Sequence, residues 1–284
     1  MKSIKVKTPA KINLTLEVLN KRPDGFHNIQ SIMQAINLYD YITFKVERSQ
    51  ELSIELSGTS KEIPYDSTNL IHKAAVKFFD LAGVGPHSVQ VFVEKNIPVA
   101  AGLAGGSSNA AGTIFALNEL FSKPLTDSQV DELCASLGSD LNFCLYGGCA
   151  FCTSRGEIIE KLPTFDIEVS LVKPIGYGIS AKEAYTKFAK LTDKSNPDNT
   201  LKLKELLLDK KFDRTLLYNS FEKVLIHDYT ELVEIKTRVL NSLLSGSGPT
   251  FFVLNSKINA KMNSDKFLVI EGLNTISEGV SIIY

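Results

Sequence analysis

Along the first part of the chain apolar and polar positions alternate at Ile12, Leu14, Leu16 and Val18. This period of two predicts a half-buried strand entered through Thr8-Pro9-Ala10-Lys11, with Lys11 and Asn13 on the face opposite Ile12 and Leu14. Further strands are expected at Ile42, Phe44 and Val46, at Leu52, Ile54 and Leu56, and at Val89, Val91 and Val93. Helical spacing appears from about Thr68 through Leu70, Ala74, Phe78 and Leu81, and again at Ala110, Ile114, Leu117 and Phe121. The latter run predicts a helix from Ser108 to Phe121, stopped by Pro124. Thr126-Asp127-Ser128-Gln129 has the shape of a capping box and starts a helix that ends at Gly138, with Asp140 just beyond. The later part predicts a strand over Ile167 to Val172 and helices over Ala181 to Leu191, Leu201 to Leu208 and Val224 to Leu240. Strands precede helices in the first part, which suggests α+β rather than a regular βαβ array.

Between the Val89–Val93 strand and the Ala110 helix lies Pro98-Val99-Ala100-Ala101-Gly102-Leu103-Ala104-Gly105-Gly106-Ser107-Ser108. Glycines in a strand-to-helix loop permit left-handed backbone and close approach to a ligand, and the helix N-terminus adds free N–H groups and positive dipole. The stretch therefore reads as an anion site, with phosphate the expected anion. Neither G-x-x-x-x-G-K-[ST] nor G-x-G-x-x-G occurs here, so phosphate charge would be met by backbone N–H groups and the hydroxyls of Ser107 and Ser108. The plain alternative is a flexible surface loop. A second glycine turn, Ser245-Gly246-Ser247-Gly248-Pro249-Thr250, is either a hairpin corner or the other wall of the same phosphate site. Lys11 is either a solvated strand lysine or a cleft residue, and Asp140 either a turn residue or a functional carboxylate. Lys21-Arg22-Pro23-Asp24-Gly25-Phe26-His27 is a turn by its Pro-Asp-Gly core. Its aromatic-imidazole pair is either surface decoration or a grip for a flat heterocycle.

A length of 284 residues suits two domains, and the connection between Arg155-Gly156-Glu157 and Pro163 places them at residues 1–160 and 161–284. With 44% hydrophobic and 22% charged residues and a net charge of −1, a soluble globular protein is expected and nucleic-acid binding has no electrostatic support. No apolar run has bilayer-spanning length and the N-terminus is unlike a signal peptide, so a cytoplasmic location without membrane association is expected. Cys144, Cys149 and Cys152 have the C-x4-C-x2-C spacing of an iron–sulfur site, but no fourth cysteine follows and the surroundings read as a buried strand. Free buried thiols and no resident metal site are the expectation.

Thr8-Pro9-Ala10-Lys11-Ile12-Asn13, the loop P-x-x-x-G-L-x-G-G-S-S-N-A from Pro98, and the Ser245–Thr250 turn together resemble the GHMP superfamily of small-molecule kinases. Pro9-Ala10-Lys11-Ile12-Asn13-Leu14 and Lys21–His27 resemble its branch acting on 4-diphosphocytidyl-2-C-methyl-D-erythritol in the non-mevalonate isoprenoid route. The resemblance implies a ribosomal-protein-S5-like N-terminal lobe and a ferredoxin-like C-terminal lobe. It implies ATP with Mg²⁺, the cytidine diphosphate methylerythritol as small-molecule substrate, and transfer of the γ-phosphoryl group to the 2-hydroxyl. Lys11 and Asp140 fall on the catalytic positions and Pro98 to Ser108 on the ATP loop. Asn69 and Lys95 fall near the adenine, while Asn13, Phe26, His27 and Tyr185 fall at the substrate. A monomer or weak homodimer is expected. Two segments depart from the branch: Asp140-Leu141-Asn142 lacks the usual proline, and Asn219-Ser220-Phe221-Glu222 stands where Asn-Asp-Leu-Glu is frequent. The alternatives are another GHMP kinase, without need of an aromatic clamp, or a non-catalytic nucleotide binder, without need of the Lys11–Asp140 pair.

Overall fold

The computed structural model describes residues 1–258, 262 and 265–284. In it the first alternating run belongs to one long strand, β1 (Lys2–Lys21), paired antiparallel with β2 (His27–Arg48). The Arg22–Phe26 turn joins them, with Arg22 N donating to Phe26 O at 2.7 Å. Thus the alternation at Ile42, Phe44 and Val46 is the far end of β2 and not a separate short strand. Nor is β1 half-buried: Lys11, Asn13, Thr15 and Glu17 are as deeply covered as the apolar residues between them. The apolar positions Ala10, Ile12 and Leu14 pack against the second sheet, and Leu16 and Val18 against its helices. The polar face is covered too, which sequence alternation cannot show, because a strand between two layers and a surface strand can share one pattern.

β3 (Ser53–Gly58), α1 (Leu70–Ala82) and β4 (His87–Glu94) follow, and the first sheet runs β12-β1-β2-β4-β3, where β12 is Ser281–Ile282. α2 (Gly105–Leu120) lies across β1, close enough at Gly112 that a Cβ there would collide with the Thr8 methyl. Phe44, Phe78, Val91, Ile114 and Leu117 form the core between the sheet and α1 and α2. α3 (Asp127–Leu137) begins with the expected box, Thr126 N donating to Gln129 Oε1 at 3.0 Å. After it come α4 (Leu141–Tyr146), β5 (Cys149–Thr153) and β6 (Ile158–Leu162), with β5 pairing both β2 and β6.

The second sheet is antiparallel, in the order β11-β7-β10-β9, formed by β7 (Glu168–Pro174), β9 (Leu243–Leu244), β10 (Phe251–Leu254) and β11 (Phe267–Asn274). The helices of the second half are α5 (Ala181–Ala189), α6 (Asn199–Leu208), α7 (Glu222–Leu225) and α8 (Thr230–Arg238), of which α6 packs on β1, β2 and β6 of the first sheet. The single helix expected over Val224 to Leu240 is broken between α7 and α8. Tyr229 takes an extended backbone there, φ −133° and ψ 119°, while its ring stacks on Tyr177 at 5.6 Å and its hydroxyl donates to Glu183 of α5. Tertiary packing of that ring overrides the helical period. Two strands from the later part of the chain join the first sheet: β8 (Tyr218–Asn219) pairs parallel with β1 at Thr15 and Leu16, and β12 pairs antiparallel with it at Val6 and Lys7. Strand β1 is therefore common to both lobes.

Candidate active site

The glycine-rich stretch leaves β4, turns at Ile97 and enters α2. Its left-handed residues are Ala100 (φ 48°), Gly102 (φ 74°) and Ala104 (φ 57°). Gly105 and Gly106 are helical, because α2 begins three residues before the expected Ser108. Their roles are therefore spatial. A Cβ on Gly105 would stand 2.9 Å from both Ile97 Cγ2 and Lys95 Nζ, whereas one on Gly106 would meet nothing within 4 Å and would project into open space at the cavity wall. The first intrahelical bond runs from Ser108 N to Ala104 O at 2.9 Å, so the N–H groups of Gly105, Gly106 and Ser107 precede it at the positive end of the helix. The two serine hydroxyls part company. Ser107 lines the cavity, while Ser108 is fully buried and donates to Pro9 O at 2.7 Å, pinning α2 to β1.

A buried network sets the approach to this loop. Lys95 Nζ lies 2.7 Å from Asp40 Oδ2 and donates to Ile97 O at 2.5 Å. Asp40 Oδ1 accepts from the backbone of Asn96 and Ile97 at 2.7 and 2.8 Å, and Asn109 Nδ2 donates to Asp40 Oδ2 at 2.9 Å. Burial pulls the Lys95 pKa down from its ordinary value, with Asp40 opposing the shift. Asp40 and Asn109 were not singled out in the sequence; an aspartate inside an apolar strand run is the signal that marks the first. Asn69 is the N-cap of α1, accepting from Ile71 N at 2.9 Å and donating to Pro64 O at 2.6 Å, and it lines the cavity at the same end.

Lys11 reaches the cavity from β1. It is 4% exposed, its N–H donates to Leu103 O at 3.1 Å, and its ammonium donates to Asn13 Oδ1 at 2.6 Å. Asn13 in turn donates to Ser31 Oγ at 2.9 Å, so the pair is oriented from beneath by β2. Across from it Asp140 Oδ2 lies 3.7 Å from Lys11 Nζ. Asp140 occupies the N-cap position of α4, yet its side chain makes no capping bond. A residue kept for a turn or cap would use its carboxylate on the helix N–H groups; this one faces the cavity. Asn142 donates to Asp131 O at 3.0 Å, and Tyr146 donates to Asp131 Oδ1 at 2.6 Å, tying α4 to α3.

At the other end His27 and Tyr185 stack on each other, centroids 5.2 Å apart and planes at 15°, with Tyr185 edge-on to Phe221 at 4.9 Å. A base inserted between two rings needs a separation of about 7 Å, twice a carbon contact of roughly 3.5 Å, so no slot exists between His27 and Tyr185. Burial, then the neighbouring Lys21 and Lys194, lower the His27 pKa and favour the neutral imidazole. Phe26 is 51% exposed, its ring under the Arg155 guanidinium at 5.1 Å. The Ser245–Thr250 turn is a hairpin corner that also lies against the glycine-rich loop. It closes the β9–β10 hairpin, with Ser245 N donating to Thr250 O at 2.9 Å, and it walls the loop, with Ser245 Oγ donating to Gly102 O at 3.0 Å.

Lys11, Asn13, Phe26, His27, Asn69, Lys95, Gly105, Gly106, Ser107, Asp140 and Tyr185 line one cavity of about 1080 Å³, which Ser108 does not reach. Pro98, Val99, Ala100, Ala101, Gly102 and Ala104 also line it; Leu103 is buried behind the loop as an apolar pin. Among the described residues no group of three or more His, Cys, Asp or Glu side chains converges as metal ligands would. The cysteines are free and buried in three different apolar clusters, Cys144 with Cys134, Cys149 elsewhere, and Cys152 in a third. Burial pushes the thiols of Cys134 and Cys149 up to about 12, away from thiolate chemistry.

Residues 69–148 match the model of the GHMP kinases N terminal domain. A 4-diphosphocytidyl-2-C-methyl-D-erythritol kinase of Prochlorococcus marinus subsp. pastoris is 40% identical, over 89% of this chain and 86% of its own. The enzyme of that name from Clostridioides difficile is 37% identical over 99% of this chain and 98% of its own. A crystal structure of 4-(cytidine 5'-diphospho)-2C-methyl-D-erythritol kinase superposes with a TM-score of 0.68 at 28% identity, covering 88% of this chain and 89% of that one. No helix among the described residues is long and apolar enough to cross a membrane. By identity sustained over nearly its whole length, this chain belongs to the 4-diphosphocytidyl-2-C-methyl-D-erythritol kinase family of GHMP kinases.

Proposed function

We propose that this chain transfers the γ-phosphoryl group of ATP to the 2-hydroxyl of 4-diphosphocytidyl-2-C-methyl-D-erythritol, in the non-mevalonate route to isoprenoid precursors. The observation that carries the reading is the Lys11–Asp140 pair, 3.7 Å apart, on one cavity with the N-terminus of α2 and the His27–Tyr185 stack. Phosphoryl transfer asks for positioning and charge compensation more than for covalent work. In this reading the N–H groups of Gly105, Gly106 and Ser107 hold the β- and γ-phosphates, and Asn69 and Lys95 border the adenine. Asp140 accepts the proton of the attacking hydroxyl, worth ~10²- to 10⁴-fold for a typical general base. Lys11, held by Asn13, offsets charge on the entering oxygen. Mg²⁺ bound with the nucleotide would supply charge neutralisation at the phosphates and would need few protein ligands, in keeping with Ser108 being engaged by Pro9. Cytosine lies against Phe26 or the open side of Tyr185, with the neutral His27 at its edge.

We assign residues 1–160 to the phosphate-loop domain and 161–284 to the second domain. The setting we propose is cytoplasmic, as a monomer or weak homodimer whose partners are small molecules. The test is ADP release by the purified protein against a panel of GHMP acceptors, among them homoserine, mevalonate, galactose and the cytidyl substrate. Turnover confined to the cytidyl substrate is expected. Turnover of another acceptor at equal kcat/KM sinks the assignment.

A further inference from the structure

Asn219 is 2% exposed and does not line the cavity, yet it grips one of the cavity's walls. Its Nδ2 donates to Leu244 O at 2.7 Å and to Gly246 O at 2.9 Å, and its Oδ1 accepts from Phe221 N at 2.9 Å. Both amide hydrogens are thus used on a single turn. The backbone of Asn219 is itself anchored in β8, paired with Leu16 on the strand that carries Lys11 and Asn13. Glu222 holds the turn from the other side, its Oε1 accepting from Leu244 N at 2.9 Å while Lys236 neutralises the carboxylate at 2.9 Å.

The turn held in this way touches the working parts. A Cβ on Gly102 would collide with Ser245 O, and one on Gly246 would stand 3.2 Å from Lys11 Nζ. Ala100, Gly102 and Ala104 keep left-handed backbone, a conformation that persists in alanine only where the surroundings over-determine it. At Gly102 the surroundings are this turn: one side chain fixes its Leu244 and Gly246 carbonyls, and the Ser245 carbonyl between them, the atom nearest Gly102, accepts from Gly248 N at 2.8 Å.

We infer that Asn219 is a positioning residue for the nucleotide end of the site: its amide fixes the Leu244–Gly246 turn against Gly102 and Lys11, and so sets the shape of the phosphate loop. This rests on reading that loop as the ATP site. Asn219→Asp keeps the shape of the side chain but turns a donor of two hydrogen bonds into an acceptor facing two carbonyl oxygens. KM for ATP is expected to rise tenfold or more with a fall in kcat. Calorimetric Kd for the cytidyl substrate without ATP is expected to stay within about twofold, which general unfolding would not allow. Ser245→Ala, which removes only the bond to Gly102 O, is expected to raise KM for ATP by a smaller factor. The double variant is expected to be no worse than Asn219→Asp alone, because both act through one contact. ATP kinetics of Asn219→Asp within twofold of wild type, parallel loss of both ligands, or full additivity overturns the inference. If Asn219→Asp does not fold, an unchanged KM for ATP in Ser245→Ala overturns it. A wild-type protein that binds no ATP would instead remove the reading beneath it.

Discussion

Asp140 and Asn are close in size and both suit turns and caps, so Asp140→Asn asks what the carboxylate is for. Its side chain makes no capping bond and lies 3.7 Å from Lys11, the geometry on which its proposed role as proton acceptor rests. The variant is expected to bind ATP and the cytidyl substrate within a few-fold of wild type while kcat falls by ~10² or more, the usual loss of a general base. Near-normal kcat would return Asp140 to a structural role. Lys11→Met tests the pairing. If Lys11 and Asp140 act as a unit, the double variant is expected to be little worse than the more impaired single one. Asn13 belongs to the same unit at one remove, because it holds the ammonium from below at 2.6 Å.

At the scale of elements the glycine-rich loop owes its form to where α2 starts. The helix takes in Gly105 and Gly106, so the two glycines make different demands. Gly106→Val is expected to raise KM for ATP by tenfold or more with little change in Tm, since its side chain enters open space at the cavity wall. Gly105→Val is expected to lower Tm as well, because its side chain runs into Ile97 and Lys95 and disturbs the Asp40 network behind them. Thermal melts and nucleotide titrations of both variants check this; equal Tm and undiminished affinity in both would make the stretch a mere linker. The loop, the capping box at Thr126 and the α5 helix were legible because local chemistry decides them. The start of α2 was not, since glycine and serine resist helix by propensity and are held here by tertiary bonds such as Ser108 to Pro9. The break at Tyr229 escaped for the same reason, and so did Asp40, whose partners lie more than 50 residues away at Lys95, Asn96 and Ile97.

For the whole molecule the governing fact is that β1 is shared. It pairs with β2 and β12 in the first sheet and with β8 from the second half, and its apolar side packs on the second lobe. Lys11 therefore stands where the two lobes meet, between the N-terminal end of α2 and an aromatic end built jointly by His27 of the first lobe and Tyr185 of the second. A substrate that spans these ends gains binding far from the reacting hydroxyl, and such remote binding can be used to orient the reacting group. Removing the cytidyl group is therefore expected to lower kcat/KM through kcat as well as KM. A base–aromatic stack is worth about 1–3 kcal/mol, roughly 5–150-fold, and loss of orientation adds to it. Steady-state kinetics with methylerythritol phosphate beside the cytidyl substrate measure the difference. Tyr185→Ala is the control from the protein side: it is expected to erase most of the preference while leaving KM for ATP within twofold. If the two acceptors have comparable kcat/KM with the wild-type protein, the aromatic end does not read the base, and the pairing of His27 with Tyr185 is no more than the seam between the lobes.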